Sequence, residues 1–180
     1  MKISIRNAEK NDIEGIMLIE YESFHKNITE SRDAFLERIN VFSDGFLILE
    51  IDDDVAGYIS SEMWDFSEII DMERFNLNHS IRDVHKPSGS QLYISSIGIL
   101  KTHHGKGYGN MLYSELEKRI TGKYSIISMI LIVSENWNAA RKLYENNGFK
   151  EISRISSFFE DENNSDAIVM RKHISKMAFE

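Results

Sequence analysis

No cysteine occurs among the 180 residues. That absence excludes disulfides, thiolate zinc sites and any mechanism that parks an acyl group on a protein thiol. No apolar run approaches the ~20 residues that span a bilayer. The opening Met1-Lys2-Ile3-Ser4-Ile5-Arg6 breaks its apolar stretch with charge, unlike a secretory leader. A cytoplasmic chain with no membrane partner is the expectation. Proline is nearly missing, Pro87 being the only one, and there is no linker, repeat or low-complexity tract. Residues 1–180 therefore read as a single domain. Cations are the minority charge: 21 Lys+Arg against 29 Asp+Glu leave −8. Phosphate-backbone binding needs clustered cations, so no nucleic-acid partner is expected. An acidic surface suits a cationic small substrate, although plain solubility is the commoner meaning of such a balance. No pair of the 6 histidines has metal-ligand spacing, and no metal is expected.

The residues that are present alternate between strand and helix patterns. Ile3 and Ile5 predict a strand over 3–7. Asn11 with Glu14 resembles a capping box; Ile13, Ile16, Met17, Tyr21 and Phe24 follow at helical spacing, with Glu20 the polar exception on that face. A second helix is expected from Ser31 to Asn40. Phe46–Ile51 and Val55–Ile59 flank Asp52-Asp53-Asp54, a hairpin whose acidic triplet reads as a solvated turn. Residues 64–90 are apolar but loosely periodic, and a connection this long usually carries a function or its own helix. Leu92–Leu100 reads as a central strand, 107–120 as a helix, 125–133 as a buried strand, and 136–147 as a helix stopped by Gly148. Strands over 149–158 and 167–173 close the chain around Asp161-Glu162-Asn163-Asn164. The order implies an α/β or α+β layer fold.

The chemistry concentrates in strand, then His104-Gly105-Lys106-Gly107-Tyr108-Gly109, then helix. Glycines let backbone N–H groups approach an anion, and the helix start adds unpaired N–H groups and the positive end of its dipole. The spacing is neither Gly-x-Gly-x-x-Gly nor the P-loop pattern. Three nearby glycines alone would equally make a turn before a tightly packed helix.

The spacing resembles the coenzyme A loop of the GNAT superfamily of N-acetyltransferases, Arg/Gln-x-x-Gly-x-Gly/Ala. His104, Gly107 and Gly109 fill the fixed places, with His104 where Arg or Gln is usual. Downstream, Ala140, Leu143, Tyr144, Gly148 and Phe149 match that family's Ala-x-x-Leu/Phe-Tyr-x-x-x-Gly-Phe signature. Ile5-Arg6-Asn7-Ala8 with Asp12 is similar to its opening strand and helix, and Gly57-Tyr58-Ile59 to its third strand. Tyr21-Glu22-Ser23-Phe24, the third strand and His85-Lys86-Pro87-Ser88-Gly89 faintly resemble arylalkylamine-type members.

The resemblance implies a mixed, mostly antiparallel sheet of about seven strands flanked by about four helices. It implies acetyl-CoA as co-substrate and acetyl transfer to a primary amine, a small molecule, by direct attack in a ternary complex. A peptide or protein amine, or a non-catalytic coenzyme A-binding module, are the alternatives, and a homodimer is compatible with any of them. By the same resemblance, backbone N–H groups of Ile97, Gly98 and Ile99 polarise the thioester. His104, Gly105, Lys106, Gly107, Tyr108 and Gly109 hold the pyrophosphate, and Asn138 touches the pantetheine arm. Tyr144 is the candidate acid for the departing thiolate, against the bland reading of a packed helix-end tyrosine. Tyr93 and Ser95 fall where related enzymes can carry paired histidines, so the base stays open. Glu62, at the expected end of the third strand, is a candidate base or cation anchor, and His85 a candidate base or substrate contact, against the bland reading of solvated positions. Phe24, Trp64, Phe75, Tyr93 and Ser95 are the expected acceptor-binding residues.

Overall fold

The computed structural model describes residues 1–160 and 162–175. Asp161, part of the expected final turn, lies outside them. The strands are β1 (Ile3–Asn7), β2 (Phe46–Ile51), β3 (Asp54–Trp64), β4 (Gln91–Ile99), β5 (Ser128–Ser134), β6 (Lys150–Phe159) and β7 (Ser165–His173). The helices are α1 (Ile13–Ser23), α2 (Arg32–Val41), α3 (Ile81–Val84), α4 (Tyr108–Lys123) and α5 (Asn138–Asn146). One 7-stranded sheet runs in the order β1-β2-β3-β4-β5-β7-β6. Its pairs are antiparallel except β4 with β5.

Each sheet face is covered by a helical stripe. On one, Ile13, Ile16, Met17 and Ile19 of α1 and Phe35 and Ile39 of α2 pack on Phe46, Ile48 and Tyr58. On the other, Leu112, Leu116 and Ile120 of α4 and Tyr144 of α5 pack on Leu47, Leu49, Ile59, Leu92 and Leu131. Alternation along β2 explains both: Leu47 and Leu49 point one way, Phe46 and Ile48 the other.

Some boundaries differ from the sequence reading. The capping box uses Glu9 and Asp12 rather than Asn11 and Glu14, ahead of a 3-10 turn, Lys10–Asp12, that leads into α1. Asp12 is recruited by Arg6 of β1, whose guanidinium donates to both its carboxylate oxygens at 2.7 and 2.8 Å. Such a long-range partner is invisible to a local pattern. Residues 64–90 contain a 3-10 turn, Met72–Phe75, and the short α3, which raises the helix total to five. Strand β3 extends to Trp64, well past Ile59.

Candidate active site

Parallel pairing of β4 and β5 is confined to Gln91–Ser128, Leu92–Met129 and Tyr93–Ile130. Beyond Tyr93 the strands part, and the wedge between them opens into a cavity of about 860 Å³. That volume is in the range of sites that bury a sizeable ligand. Ile97, Gly98 and Ile99 of β4 form one wall, and Asn138 and Tyr144 of α5 the other.

At one end lies the glycine loop. Gly105 and Gly107 have φ of +73° and +81°, the left-handed region that favours glycine. A Cβ built on either meets nothing within 4 Å, so both backbones front open space. Gly107 is also the N-cap of α4 and supplies no side-chain bond, so the first-turn N–H groups lack a side-chain partner there. This cradle fits a pyrophosphate. Gly109 is placed differently: a Cβ there would stand 3.1 Å from Leu143 Cδ1, so it permits close packing of α4 against α5. His104 lines the cavity while its Nε2 meets the Ile99 carbonyl oxygen at 2.7 Å, bracing the loop on the end of β4. Tyr108 lines the cavity as well. Lys106 turns away and donates to the Thr102 carbonyl at 3.0 Å; the cavity-lining lysines are Lys101 and Lys142.

At the other end, Phe24, Phe75, Tyr93 and Ser95 line the wall, joined by Trp137 and Phe159. Phe24 and Phe159 flank Trp137, with centroids 5.4 and 4.9 Å from its ring. Trp64, Glu62 and His85 stand outside this wall. Trp64 stacks behind Tyr93 at 4.3 Å. Glu62 is fully buried inside the lengthened β3, accepting from Trp64 Nε1 at 2.7 Å and meeting His79 Nε2 at 2.7 Å. His85 accepts from the Met63 N–H at 3.1 Å and packs on Phe42, and burial holds its pKa below the ordinary value. The expectation that these three face the cleft assumed a strand ending sooner.

This layout separates two substitutions. Phe75→Ala removes cavity wall and core together: it should raise the acceptor KM by ~10-fold and, Phe75 being as buried as Trp64, also cost ~3–5 kcal/mol of stability. Trp64→Ala should cost ~3–5 kcal/mol of stability as a core truncation, with a smaller change in KM at temperatures where the fold persists. Steady-state kinetics paired with denaturant unfolding of each variant checks both.

The sequence reading passed over Glu20. It lines the cavity although only 1% exposed. Its Oε1 accepts from the Tyr58 hydroxyl and, at 3.3 Å, from Ser96 Oγ; its Oε2 accepts from the Glu30 N–H at 3.0 Å. Burial is the largest influence and raises its pKa to about 7, against the lowering effect of these donors. The signal was a lone carboxylate on the apolar face of α1. Glu30, also cavity-lining and 6% exposed, is paired with Arg38. Tyr144 is 5% exposed, and burial pushes its hydroxyl above the ordinary tyrosine value. The cavity thus carries carboxylates toward one end, and backbone N–H groups and lysines toward the other.

Residues 13–149 match the model of the acetyltransferase (GNAT) family, and the chain belongs to that family. It is an acetyl-CoA-dependent acetyltransferase of the GNAT type. An N-alpha-acetyltransferase of Sulfurisphaera tokodaii is 27% identical over 167 residues, covering 92% of this chain and 90% of that relative. The loading GNATL domain of CurA from Lyngbya majuscula superposes with a TM-score of 0.81 at 14% identity, over 96% of this chain and 98% of that one. Naa50 of Arabidopsis thaliana, in complex with the bisubstrate analogue CoA-Ac-MVNAL, gives 0.74 at 16% identity, over 97% and 100%. At such identities the two structures establish the fold alone. No helix among the described residues is long and apolar enough to cross a membrane.

Proposed function

We propose that this acetyltransferase acetylates the α-amino group of a peptide or protein, with Glu20 as general base. The observation that carries the reading is a buried carboxylate poised near neutrality at the acceptor end of the cavity. A general base works best when its pKa lies near the operating pH and near that of the proton it takes. An α-amine, at ~7.7–8.0, is within about one unit of Glu20, whereas a lysine-like alkylamine at ~10.4 is more than three away. The Sulfurisphaera relative, named for α-amine acetylation, points the same way. The small-molecule amine expected from the sequence becomes the second reading. It is favoured by the aromatic wall of Phe24, Trp137 and Phe159, which would suit an arylalkylamine.

Bound acetyl-CoA supplies a thioester carbonyl for the amine to attack and a thiolate to leave. Its pyrophosphate would be held by the Gly105–Gly107 cradle, and its arm by the unpaired edge of β4 and by Asn138. Glu20 takes the acceptor proton, and the Tyr58 and Ser96 hydroxyls with the Glu30 N–H hold its carboxylate in place. Tyr144 donates a hydrogen bond toward the leaving sulfur. Full transfer from a tyrosine raised above ~10 to a thiolate whose conjugate acid lies near ~8.5 is uphill, so charge stabilisation is its role. Tyr144→Phe should therefore lower single-turnover rate at least ~10-fold with unchanged acetyl-CoA affinity. An unchanged rate returns Tyr144 to the core.

Thiol release from acetyl-CoA over a panel of short peptides, α-N-blocked lysine peptides and arylalkylamines tests the acceptor class. Free-N-terminus peptides should turn over best. Turnover confined to arylalkylamines overturns the peptide reading in favour of the second one, and release from no amine removes both.

A further inference from the structure

Behind the acceptor wall lies an array of buried charge that proton transfer by Glu20 does not itself require. Arg38 is 1% exposed, and its Nε, Nη1 and Nη2 make no hydrogen bond of good geometry among the described residues. It forms a close ion pair with Glu30, whose own Oε2 is otherwise unpartnered, and it lies within the field of Glu62. Glu62 is in turn tied to His79. Desolvating so many charges is costly, and apolar residues of similar volume would stabilise a fold at least as well. Stability alone gives little reason for this arrangement.

Glu30 joins the array to the base through two contacts of opposite effect. Its backbone N–H donates to Glu20 Oε2 at 3.0 Å and favours the ionised form of Glu20. Glu30 also lines the cavity, and its carboxylate is paired with Arg38 of α2. A second negative charge beside the first opposes ionisation. The other groups facing Glu20 are the Tyr58 hydroxyl from β3 and the Ser96 hydroxyl from β4. Those facing the Arg38–Glu30 pair are Glu62 from β3, Tyr93 from β4 and, through Glu62, His79.

We propose that Glu30, clamped by Arg38, is a positioning residue of the acceptor site: its N–H fixes the orientation of the Glu20 carboxylate and its charge joins burial in opposing ionisation there. This rests on the reading of Glu20 as base. In consequence, the Glu30 charge acts in the same direction as burial, the largest influence on Glu20, and the two together match the base to an α-amine. The companion charge also favours an acceptor that arrives as an ammonium ion. Arg38 pairs with Glu30 and offsets part of that charge.

The test is a carbon-13 NMR titration of the Glu20 carboxyl carbon on the full chain without substrate, assigned with Glu20→Gln. Glu30→Gln keeps the N–H and removes the charge. The Glu20 pKa should fall by about one unit, the order expected for neighbouring charges in partly buried protein. The acidic limb of the kcat/KM–pH profile should move down with it, a change that a purely structural role for Glu30 would not produce. Should Glu30→Gln fail to fold because Arg38 loses its partner, Glu30→Gln/Arg38→Gln removes both charges, and a smaller fall is expected. Glu20 titrating at an unchanged or higher pH in whichever variant folds overturns the proposal, as does a wild-type Glu20 titrating at the ordinary glutamate value. If Glu20 shifts as expected but no amine is acetylated, the positioning role stands and the peptide reading falls.

Discussion

Glu20→Gln should lower kcat/KM for the acceptor by ~10²–10⁴-fold, the usual contribution of a positioned base, while acetyl-CoA still stabilises the fold. The pH profile identifies the step. Wild-type kcat/KM should rise as Glu20 ionises through pH about 7; in the variant the residual rate should follow the free-amine fraction alone. A second consequence concerns stability. The folded-state pKa of Glu20 lies above its unfolded value of 4.5. The native chain therefore keeps a proton that the unfolded chain has released. That contribution is fully present below about pH 4.5 and is lost as pH rises through about 7. By linkage it amounts to ~3 kcal/mol at most, and a glutamine amide facing three donors would recover only part. Urea midpoints should fall between pH 5 and 7 by more in wild type than in Glu20→Gln. Parallel curves, together with an unchanged turnover, would remove Glu20 from the chemistry.

Gly107→Val should abolish acetyl-CoA binding. A ligand at 100 times its Kd stabilises a native state by ~2.7 kcal/mol, which in a chain of this size is a rise in Tm of ~5–10 °C. Wild type should show that rise and the variant none. A branched side chain at φ +81° is strained by ~1–3 kcal/mol, and its Cβ would occupy the space that the cradle leaves open. The loop lies at the surface, away from the packed stripes of α1, α2 and α4, so the variant should retain a cooperative transition. Differential scanning fluorimetry with and without acetyl-CoA checks this. A full shift in Gly107→Val would move the pyrophosphate site elsewhere.

The sequence was most informative where function is local. The glycine loop is built from consecutive residues, so a turn ahead of a helix could be read from His104–Gly109, while its reading as a coenzyme A loop came from the family resemblance; α5 with its Gly148 stop (φ +89°) was marked locally too. Strands β1 and β2 followed from alternation and the acidic turn between β2 and β3. The acceptor end was much less legible because its groups meet only in three dimensions. Glu20 comes from α1, Tyr58 from β3, Ser96 from β4 and the Glu30 N–H from the loop before α2. No spacing rule links them. Glu62 and His85 were candidates from sequence position alone; Glu62 sits inside the lengthened β3 against Trp64 and His79, and His85 is held by the Met63 N–H and Phe42. Trp137 became informative only once Phe24 and Phe159 were seen packed against it.

The parting of β4 from β5 also divides the amides of a single strand into two populations in time. From Ser96 to Ile99, β4 remains paired on one side with Gly57–Ser60 of β3. Strand geometry turns successive N–H groups to opposite edges, so alternate amides are locked into the ladder while those between them look into the wedge. Deuterium uptake along this segment should therefore alternate, slow beside fast, instead of grading from one end to the other. A pantetheine arm lying along the open edge would act as the missing neighbour, and only the fast set should then slow. The protein would meet the pantetheine arm as a sheet meets another strand, through backbone contacts that substitutions along β4 would leave in place.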